Sequence, residues 1–127
     1  MSSMPTELRG LKVLVVEDNF LVAELVRSLL EDCGCETVGP AGRVDSALAL
    51  IGDDDGALDG AVLDINLAGE YCFPIAERLH QRGVPFFFLT GYDDGQIIPP
   101  QFREVPRLAK PFDNRNVQCV AAEMFGR

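Results

Sequence analysis

Short apolar runs in this chain end on polar side chains that could do chemistry together. Such runs lead into Glu17 and Asp18, into Asp64, into Thr90 and into Lys110. In an open parallel sheet, ligands and reacting groups sit just beyond the carboxyl ends of the strands. Four strand ends side by side would bring these five side chains around one point. The sequence therefore predicts a site that combines three carboxylates, a hydroxyl and an ammonium group.

The chemistry of such a site follows from its charges. Carboxylates about 4 Å apart repel one another by about 4 kcal/mol per pair at an effective dielectric of roughly 20. A cluster of three therefore persists with a bound cation or with raised pKa values. Hard oxygen ligands suit Mg²⁺, and a divalent ion with open positions attracts a phosphoryl oxygen. The predicted roles are Asp64 as the nucleophile, Lys110 as a fixed positive charge and Thr90 as a hydroxyl donor.

The elements that must position these residues alternate between strands and helices. Nearly continuous apolar stretches predict strands at Lys12–Val16, at Glu36–Val38, ending at Asp64, at Phe86–Leu89 and at Arg107–Ala109. Gly39-Pro40 is expected to stop the second strand. Helical spacing predicts a helix after each strand, with a short or irregular fourth one. This order implies an α/β fold, with one parallel sheet, right-handed crossovers and helices on both faces.

Caps and apolar spacing define the helices more closely. Asn19 is expected to cap the first helix, with Gly34 just past its end, and Asp113 to cap the last. The first helix should bury one apolar stripe, made of Leu21, Val22, Leu25, Val26, Leu29 and Leu30. The second helix should bury Val44, Ala47, Leu48 and Ile51. The third should bury Cys72, Ile75 and Leu79, with Pro74 in its first turn and Gly83 at its end. The last should bury Val117, Val120, Ala121 and Met124.

The stretch from Gly91 to Pro106 has poor periodicity. Pro99-Pro100 argues against a long helix, so any helix should be short, near Gly95–Ile98 or Gln101–Glu104. Three apolar residues in it either form a contact surface or fold onto the sheet: Ile97, Ile98 and Phe102.

Composition narrows the class of protein. The chain has 127 residues and a net charge of −9, which suits one domain over residues 1–127 with a loose lead-in at 1–10. The acidity argues against binding to nucleic acid, and no apolar run approaches the roughly 18 residues that span a membrane. Without a signal peptide, the expected location is the cytoplasm. The chain ends with the last helix, so we expect no output domain.

Cysteine and loop composition add little chemistry. The four cysteines, Cys33, Cys35, Cys72 and Cys119, form no CxxC pair, and His80 is the single histidine. They are interpreted as small buried apolar residues in a reducing compartment. The acidic turn at residues 52–56 lacks the alternating ligands of a calcium loop and is interpreted as solvated.

The chain resembles the receiver domains of bacterial two-component response regulators. The resemblance runs from about Leu11 to Phe125 and is carried by four motifs: Val15-Val16-Glu17-Asp18-Asn19, Leu63-Asp64-Ile65-Asn66-Leu67, Leu89-Thr90-Gly91 and Ala109-Lys110-Pro111-Phe112. It implies a flavodoxin-like (βα)5 fold with strand order 2-1-3-4-5. It also implies that Asp64 accepts a phosphoryl group from a histidine kinase or a histidine phosphotransfer protein.

The resemblance implies a ligand set as well. Asp18, Asp64 and the backbone carbonyl of Asn66 would hold Mg²⁺, or Mn²⁺ as a substitute, with Glu17 acting mostly through water. Thr90 would move toward the phosphoryl group, and Lys110 would pair with it. The only catalysis expected is self-phosphorylation and self-dephosphorylation. The expected state is a monomer or a weak dimer, and the downstream protein partner is not identified by the sequence.

The segment Pro85-Phe86-Phe87-Phe88-Leu89-Thr90-Gly91-Tyr92 is similar to the Phe-x-Thr-Gly-Tyr subgroup, which includes single-domain regulators. Many receivers carry a switch aromatic three residues before the lysine, but this chain has Arg107 there. An arginine cannot turn into an apolar pocket as tyrosine or phenylalanine would. Tyr92 is the candidate replacement, and otherwise it only packs its loop.

Other interpretations stay open. The domain could signal through a changed protein-binding surface, or it could be a phosphate sink or shuttle in a phosphorelay. It could also be a degenerate receiver that never takes phosphate. A phosphatase with an aspartyl nucleophile would want a second acid at the position of Asn66. A flavodoxin-like binding module would want a phosphate-cradling loop rich in Gly, Ser or Thr in place of Glu17-Asp18-Asn19.

Overall fold

The computed structural model describes residues 8–53, 58–91 and 94–126. Within these residues, five parallel strands form one sheet. The strands are β1 (Lys12–Val16), β2 (Glu36–Ala41), β3 (Gly60–Asp64), β6 (Phe86–Thr90) and β7 (Arg107–Ala109). Two further strands, β4 (Asn66–Leu67) and β5 (Glu70–Tyr71), pair with each other in a separate hairpin. The sheet order is β2-β1-β3-β6-β7. With the β4–β5 hairpin set aside, this is the predicted order 2-1-3-4-5, which is confirmed.

Helices cover both faces of the sheet, as predicted. They are α1 (Phe20–Asp32), α2 (Val44–Asp53), α3 (Phe73–Gln81) and α4 (Asn114–Phe125). One apolar cluster joins α2 and α3 to the sheet, and a second joins α1 and α4 to the opposite face. Every residue of β3 and β6 is buried, as expected for central strands covered on both sides.

The predicted caps are confirmed. The Asn19 side chain accepts a hydrogen bond from the Val22 N–H at 3.2 Å, and the Asp113 side chain accepts one from the Arg115 N–H at 2.9 Å. Each bond satisfies a backbone donor that the first turn of a helix leaves unpaired. The cap at Asn19 fixes the direction in which α1 leaves the carboxyl edge of the sheet.

The predicted stripe of α1 is wrong at two positions. Leu21 is 78% exposed and Leu25 is 39% exposed. At 100° per residue, Leu25 lies about 120° and Leu21 about 160° from the middle of the buried stripe, which is formed by Val26 and Leu30. The helix buries Ala23 instead, since a methyl group suffices where the backbone lies close to the sheet. Two large apolar side chains therefore stay in solvent beside the carboxyl edge.

The predicted end of the second strand is also wrong. β2 continues through Gly39-Pro40 to Ala41, with a register shift opposite Leu14 to Val16. As an edge strand, β2 tolerates a proline that donates no hydrogen bond. Gly39 has a φ of +98°, and a Cβ there would lie 2.9 Å from the Val15 carbonyl oxygen. Glycine therefore permits the bulge that carries the strand on to the site.

The connection after β6 contains two 3₁₀ turns, Asp94–Ile97 and Pro100–Phe102, so the short, irregular fourth helix is confirmed. Ile98 and Phe102 fold onto the sheet with exposures of 2% and 3%, whereas Ile97 stays 37% exposed. Tyr92 and residues 54–57 of the acidic turn lie outside the described residues.

The cysteines and the N-terminal residues follow their predictions only in part. Cys33, Cys35 and Cys72 are buried as predicted, but Cys119 is exposed on the outer side of α4, so that prediction is wrong. Leu8 is fully buried, and the Gly10 N–H donates to the Gly34 carbonyl at 2.8 Å, so the end of the predicted loose lead-in 1–10 packs on the domain. Among the described residues, no helix has the length and apolar character required to cross a bilayer.

Candidate functional site

The structure brings the three predicted carboxylates together at the carboxyl edge of the sheet. Asp64 is the last residue of β3, and Glu17 and Asp18 directly follow β1, its neighbour in the sheet. One carboxylate oxygen from each of the three lies within 4.8 Å of the others. Glu17 and Asp64 are each only 3% exposed, whereas Asp18 is exposed at the rim. The cluster is therefore buried at its base and open to solvent on the side of Asp18.

Glu17 is held by backbone groups on both sides. Its N–H donates to the Ala41 carbonyl of β2 at 2.9 Å, and its Oε2 accepts from the Asn19 N–H at 3.1 Å. Its buried Oε1 lies 3.0 Å from Lys110 Nζ, but this ion pair lacks the geometry of a hydrogen bond. A buried carboxylate oxygen is thus left without a hydrogen-bond donor inside the cluster.

Lys110 reaches the cluster from the opposite side. Its backbone N–H donates to the Thr90 carbonyl at 2.8 Å, which continues the β6–β7 ladder by one step. Its Nζ donates to Asp64 Oδ2 at 3.1 Å. Burial alone would lower the pKa of Lys110, but its ion pairs with Glu17 and Asp64 outweigh burial and raise the pKa above the usual value. The lysine is therefore a fixed positive charge.

The environment of Asp64 favours its protonated form. Burial makes the largest contribution, followed by the adjacent Glu17 carboxylate, and together they raise the pKa of Asp64 to about 7. Lys110 acts in the opposite direction but does not cancel this shift. Crowded carboxylates need either a bound cation or a raised pKa, and the raised pKa of Asp64 is the second of these.

Thr90 lies at the end of β6, buried at 6% exposure. Its hydroxyl donates to the Leu108 carbonyl of β7 in a long hydrogen bond of 3.4 Å. The hydroxyl is therefore engaged with β7, the strand that leads directly into Lys110. Tyr92, the other residue predicted to act as a switch, is not among the described residues.

A small hairpin follows the acceptor strand, and the sequence did not predict it. Asn66 pairs with Tyr71 across antiparallel strands β4 and β5, and Asn66 Oδ1 accepts from the Gly69 N–H at 3.0 Å. The turn residues Ala68 and Gly69 have φ values of 54° and 98°. Both φ angles are positive, as the type I′ turn of a two-residue hairpin requires. In the sequence, the Ala-Gly pair was the available indication of this turn. The hairpin fixes Asn66, the predicted donor of a backbone ligand.

The donor set fits a hard divalent cation. Glu17, Asp18 and Asp64 offer oxygen atoms alone, which suits Mg²⁺ rather than a softer metal. Three carboxylates face one ammonium group, that of Lys110, so the cluster as a whole is short of positive charge. The exposed rim at Asp18 leaves room for the water molecules that Mg²⁺ retains.

An apolar rim adjoins the acidic cluster. Phe20 and Leu21 at the start of α1 are 70% and 78% exposed and are the two most exposed large apolar residues among those that the structure describes. Beside them lies a cavity of about 430 Å³, lined by Val22, Leu25, Gly91, Lys110, Pro111 and Phe112. Sequence reasoning placed Leu21 and Leu25 in the core and so missed this surface. The sequence feature that could have revealed this surface is the apolar stripe of α1, which contains more large apolar residues than one helix face can bury.

Comparison with known proteins gives consistent relatives. The family model of the response regulator receiver domain matches residues 13–119. The sensory transduction protein LytT of Bacillus subtilis is 32% identical over 111 residues, which are 85% of this chain and 45% of LytT. The chain thus spans about half the length of that curated relative.

Solved structures show the same fold. The solution structure of SdrG from Sphingomonas melonis superposes with a TM-score of 0.77 at 38% identity, over 89% of this chain and 94% of that one. The response regulator PhyR from Brucella abortus gives a TM-score of 0.76 at 25% identity, over 94% of this chain and 50% of PhyR. Together with the family match and the acidic strand ends, these likenesses establish that the chain belongs to the response regulator receiver domain family.

Proposed function

We propose that this receiver domain, residues 1–127, accepts a phosphoryl group on Asp64 in a reaction that depends on Mg²⁺. One observation carries the proposal: Asp64 is buried with its carboxylate 3.1 Å from Lys110 Nζ and inside the only acidic cluster of ligand spacing that the described residues contain. A carboxylate held between a fixed cation and a metal site is positioned for in-line attack on phosphorus.

The transfer step balances simply. A carboxylate oxygen of Asp64 forms a bond to phosphorus while the bond from phosphorus to the donor nitrogen of a phosphohistidine breaks, and the leaving imidazole keeps the electron pair and takes up a proton. Asp18, Asp64 and the Asn66 carbonyl would hold Mg²⁺, with Glu17 acting mostly through water, and the ion would supply positive charge for the phosphoryl oxygens. Lys110 supplies a positive charge at the same oxygens.

Thr90 and Lys110 also provide the output. The Thr90 hydroxyl, which now bonds to β7 at 3.4 Å, is drawn toward the phosphoryl group as a stronger acceptor. This shifts an existing equilibrium toward a state with an altered surface around β7 and residues 94–106. That surface binds a protein partner; in a phosphate sink or shuttle the transfer itself is the whole output. The cytoplasmic location and Tyr92 as a second switch residue stay predictions.

We further propose that the apolar rim receives the phosphodonor protein, a histidine kinase or histidine phosphotransfer protein. A protein that delivers an imidazole to Asp64 must contact the rim of the site, and the exposed Phe20 and Leu21 lie on that rim. Exposed large apolar groups beside a polar centre are typical of protein contact surfaces. The cavity between α1 and Lys110 offers a pocket for one anchoring apolar side chain.

Replacement of Leu21 by Ser separates the two kinds of donor. Because Leu21 is 78% exposed, the change leaves the fold and the acidic cluster intact. We expect Leu21→Ser to lower the rate of phosphoryl transfer from an autophosphorylated histidine kinase by about tenfold, as loss of a contact worth about 1.4 kcal/mol would. Phosphorylation by acetyl phosphate, which needs no docking surface, should proceed at the wild-type rate. The measurement is the time course of phosphorylation with each donor, over a panel of kinase domains.

The matched control is Ile97→Ser, which removes an exposed apolar side chain in the 94–106 connection, away from the rim. This variant should accept phosphate from both donors as wild type does. If Leu21→Ser slows both donors equally, the rim acts on the site itself and not as a docking surface. If the wild type takes phosphate from neither donor in the presence of Mg²⁺, the proposed function fails as a whole.

A further inference from the structure

Aromatic rings form a continuous row from the hairpin beside Asp64 to the second 3₁₀ turn. Tyr71 lies 6.0 Å from Phe73 between ring centroids, and Phe73 stacks on Phe102 at 6.4 Å with an interplanar angle of 18°. Phe88 meets Phe73 edge-on at 6.0 Å and Phe102 at 6.2 Å. Ring pairs at these separations attract one another beyond simple burial. The row therefore joins three segments that are far apart in the sequence.

One end of the row belongs to the acceptor site. Tyr71 pairs with Asn66, which is two residues after Asp64, and the next N–H, of Cys72, donates to the Ile65 carbonyl at 2.9 Å. The backbone on both sides of the tyrosine is thus tied to residues that immediately follow the acceptor. Tyr71 therefore connects the acceptor loop, through its ring contact, to Phe73, the first residue of α3.

The other end of the row belongs to the connection between β6 and β7. Phe102 is 3% exposed and is enclosed by its own turn, since its N–H donates to the Pro99 carbonyl at 2.9 Å and its carbonyl accepts from Val105 at 3.1 Å. It also meets Phe86 edge-on at 5.8 Å. Phe102 is thus, together with Ile98, an anchor that holds residues 96–106 onto the sheet.

On this face, strand β7 presents exposed side chains. Its register places Arg107 beside Phe88 and Ala109 beside Thr90, and both β7 residues are exposed. Leu108 points to the opposite face, where it packs with the α1–α4 cluster. On the face that carries Phe88 and Thr90, the aromatic row is therefore one buried connection, among the described residues, between the acceptor site and residues 96–106.

We propose that the row Tyr71–Phe73–Phe102 couples the acceptor site to the surface of residues 96–106, so that phosphorylation of Asp64 repositions Phe102 and with it that surface. This inference rests on the proposed function, because it names how that same site is read out. Packed interiors respond by switching between discrete arrangements and not by gradual deformation. A stacked pair such as Phe73 and Phe102 is therefore suited to transmit a small shift of the hairpin.

The experiment measures amide hydrogen exchange in peptides that cover residues 96–106, with and without Mg²⁺ and beryllofluoride as the phosphoryl mimic. In the wild type we expect the mimic to change the exchange rate of these peptides. Tyr71→Leu removes the first ring at a position 47% exposed, so the variant folds, and Phe73→Leu removes the middle ring. Each variant should show a change in exchange about fivefold smaller, at the low end of allosteric couplings, while peptides around Asp64 still report binding of the mimic.

The matched control is Phe87→Leu. The Phe87 ring stacks on Phe125 at 5.7 Å on the opposite face of the sheet and lies outside the row. This variant should keep the full response at residues 96–106. The inference is overturned if Tyr71→Leu and Phe73→Leu keep the full response, or if the wild type binds the mimic without a response there. Absence of any binding in the wild type would instead refute the proposed function on which the inference depends.

Discussion

Replacement of Lys110 by Gln is expected to slow phosphorylation of Asp64 by acetyl phosphate about 10²-fold, the effect of removing one preorganised stabilising group from an active site. The Nζ atom lies 3.1 Å from Asp64 Oδ2 and 3.0 Å from Glu17 Oε1, so it is the charge that offsets two buried carboxylates. The proposed reaction adds further negative charge at this point. Glutamine is one bond shorter than lysine and keeps a hydrogen-bond donor, so the variant removes the ammonium charge and retains a polar side chain.

The rate of phosphorylation in saturating Mg²⁺ is the measurement, with Arg115→Gln as the matched control. Arg115 is an exposed cation in the first turn of α4, and its loss should leave the rate unchanged. Circular dichroism should show that both variants are folded. A Lys110→Gln variant that is phosphorylated as fast as wild type would remove the lysine from the proposed chemistry.

Replacement of Asp64 by Asn is expected to stabilise the protein without metal at pH 8. Burial, together with Glu17, raises the pKa of Asp64 from 3.8 to about 7. Between these values the folded state holds a proton that the unfolded state has lost, so the free energy of unfolding falls as the pH rises. Asp64 therefore destabilises the fold most above pH 7. Asparagine lacks this ionisation and should raise the free energy of unfolding at pH 8 by roughly 2 kcal/mol.

Urea denaturation at a series of pH values, in the presence of a chelator, measures this effect. The wild type should lose stability between about pH 4 and pH 7, and Asp64→Asn should lose less over the same range. Asp32→Asn, a change at an exposed carboxylate at the end of α1, should behave as wild type. Addition of Mg²⁺ should stabilise the wild type more than Asp64→Asn. Parallel pH profiles of wild type and Asp64→Asn would contradict the raised pKa.

Much of the fold and of the site was predictable because both depend on local patterns. The apolar runs before Glu17, Asp64, Thr90 and Lys110 are strands that need burial on both faces, and such strands have few possible arrangements. Once the sheet is parallel, its carboxyl ends meet at one edge, and the positions of the polar residues follow. The caps at Asn19 and Asp113 were predictable for the same reason, since each depends on one side chain and its own first turn.

The errors arose where tertiary packing decides. Periodicity shows that α1 is amphipathic, but it does not show how wide a strip the sheet and α4 cover. Leu21 and Leu25 therefore looked like core residues, and the structure leaves them on the rim. Likewise, Gly39-Pro40 stops a central strand but not an edge strand, and the sequence alone does not say which strand is at the edge.

The hairpin after Asp64 was missed for another reason. Its strands are two residues long, and only the Ala68-Gly69 turn distinguishes them from a loop. Phe102 presents a different difficulty. Its sequence neighbourhood suggests a loop, whereas its ring partners Phe73, Phe86 and Phe88 come from two other segments. Such long-range contacts are set by the assembled sheet, so no local pattern indicates them.

The central claim is that Asp64 is the phosphoryl acceptor of a site that requires Mg²⁺. The most direct test is the intact mass of the protein after incubation with acetyl phosphate, with Mg²⁺ and with a chelator, for the wild type and for Asp64→Asn. We expect the wild type to gain one phosphoryl group in Mg²⁺ alone, and Asp64→Asn, which folds at least as stably, to gain none. A wild type that gains no phosphoryl group in Mg²⁺, or an Asp64→Asn variant that gains one as readily, would contradict the claim.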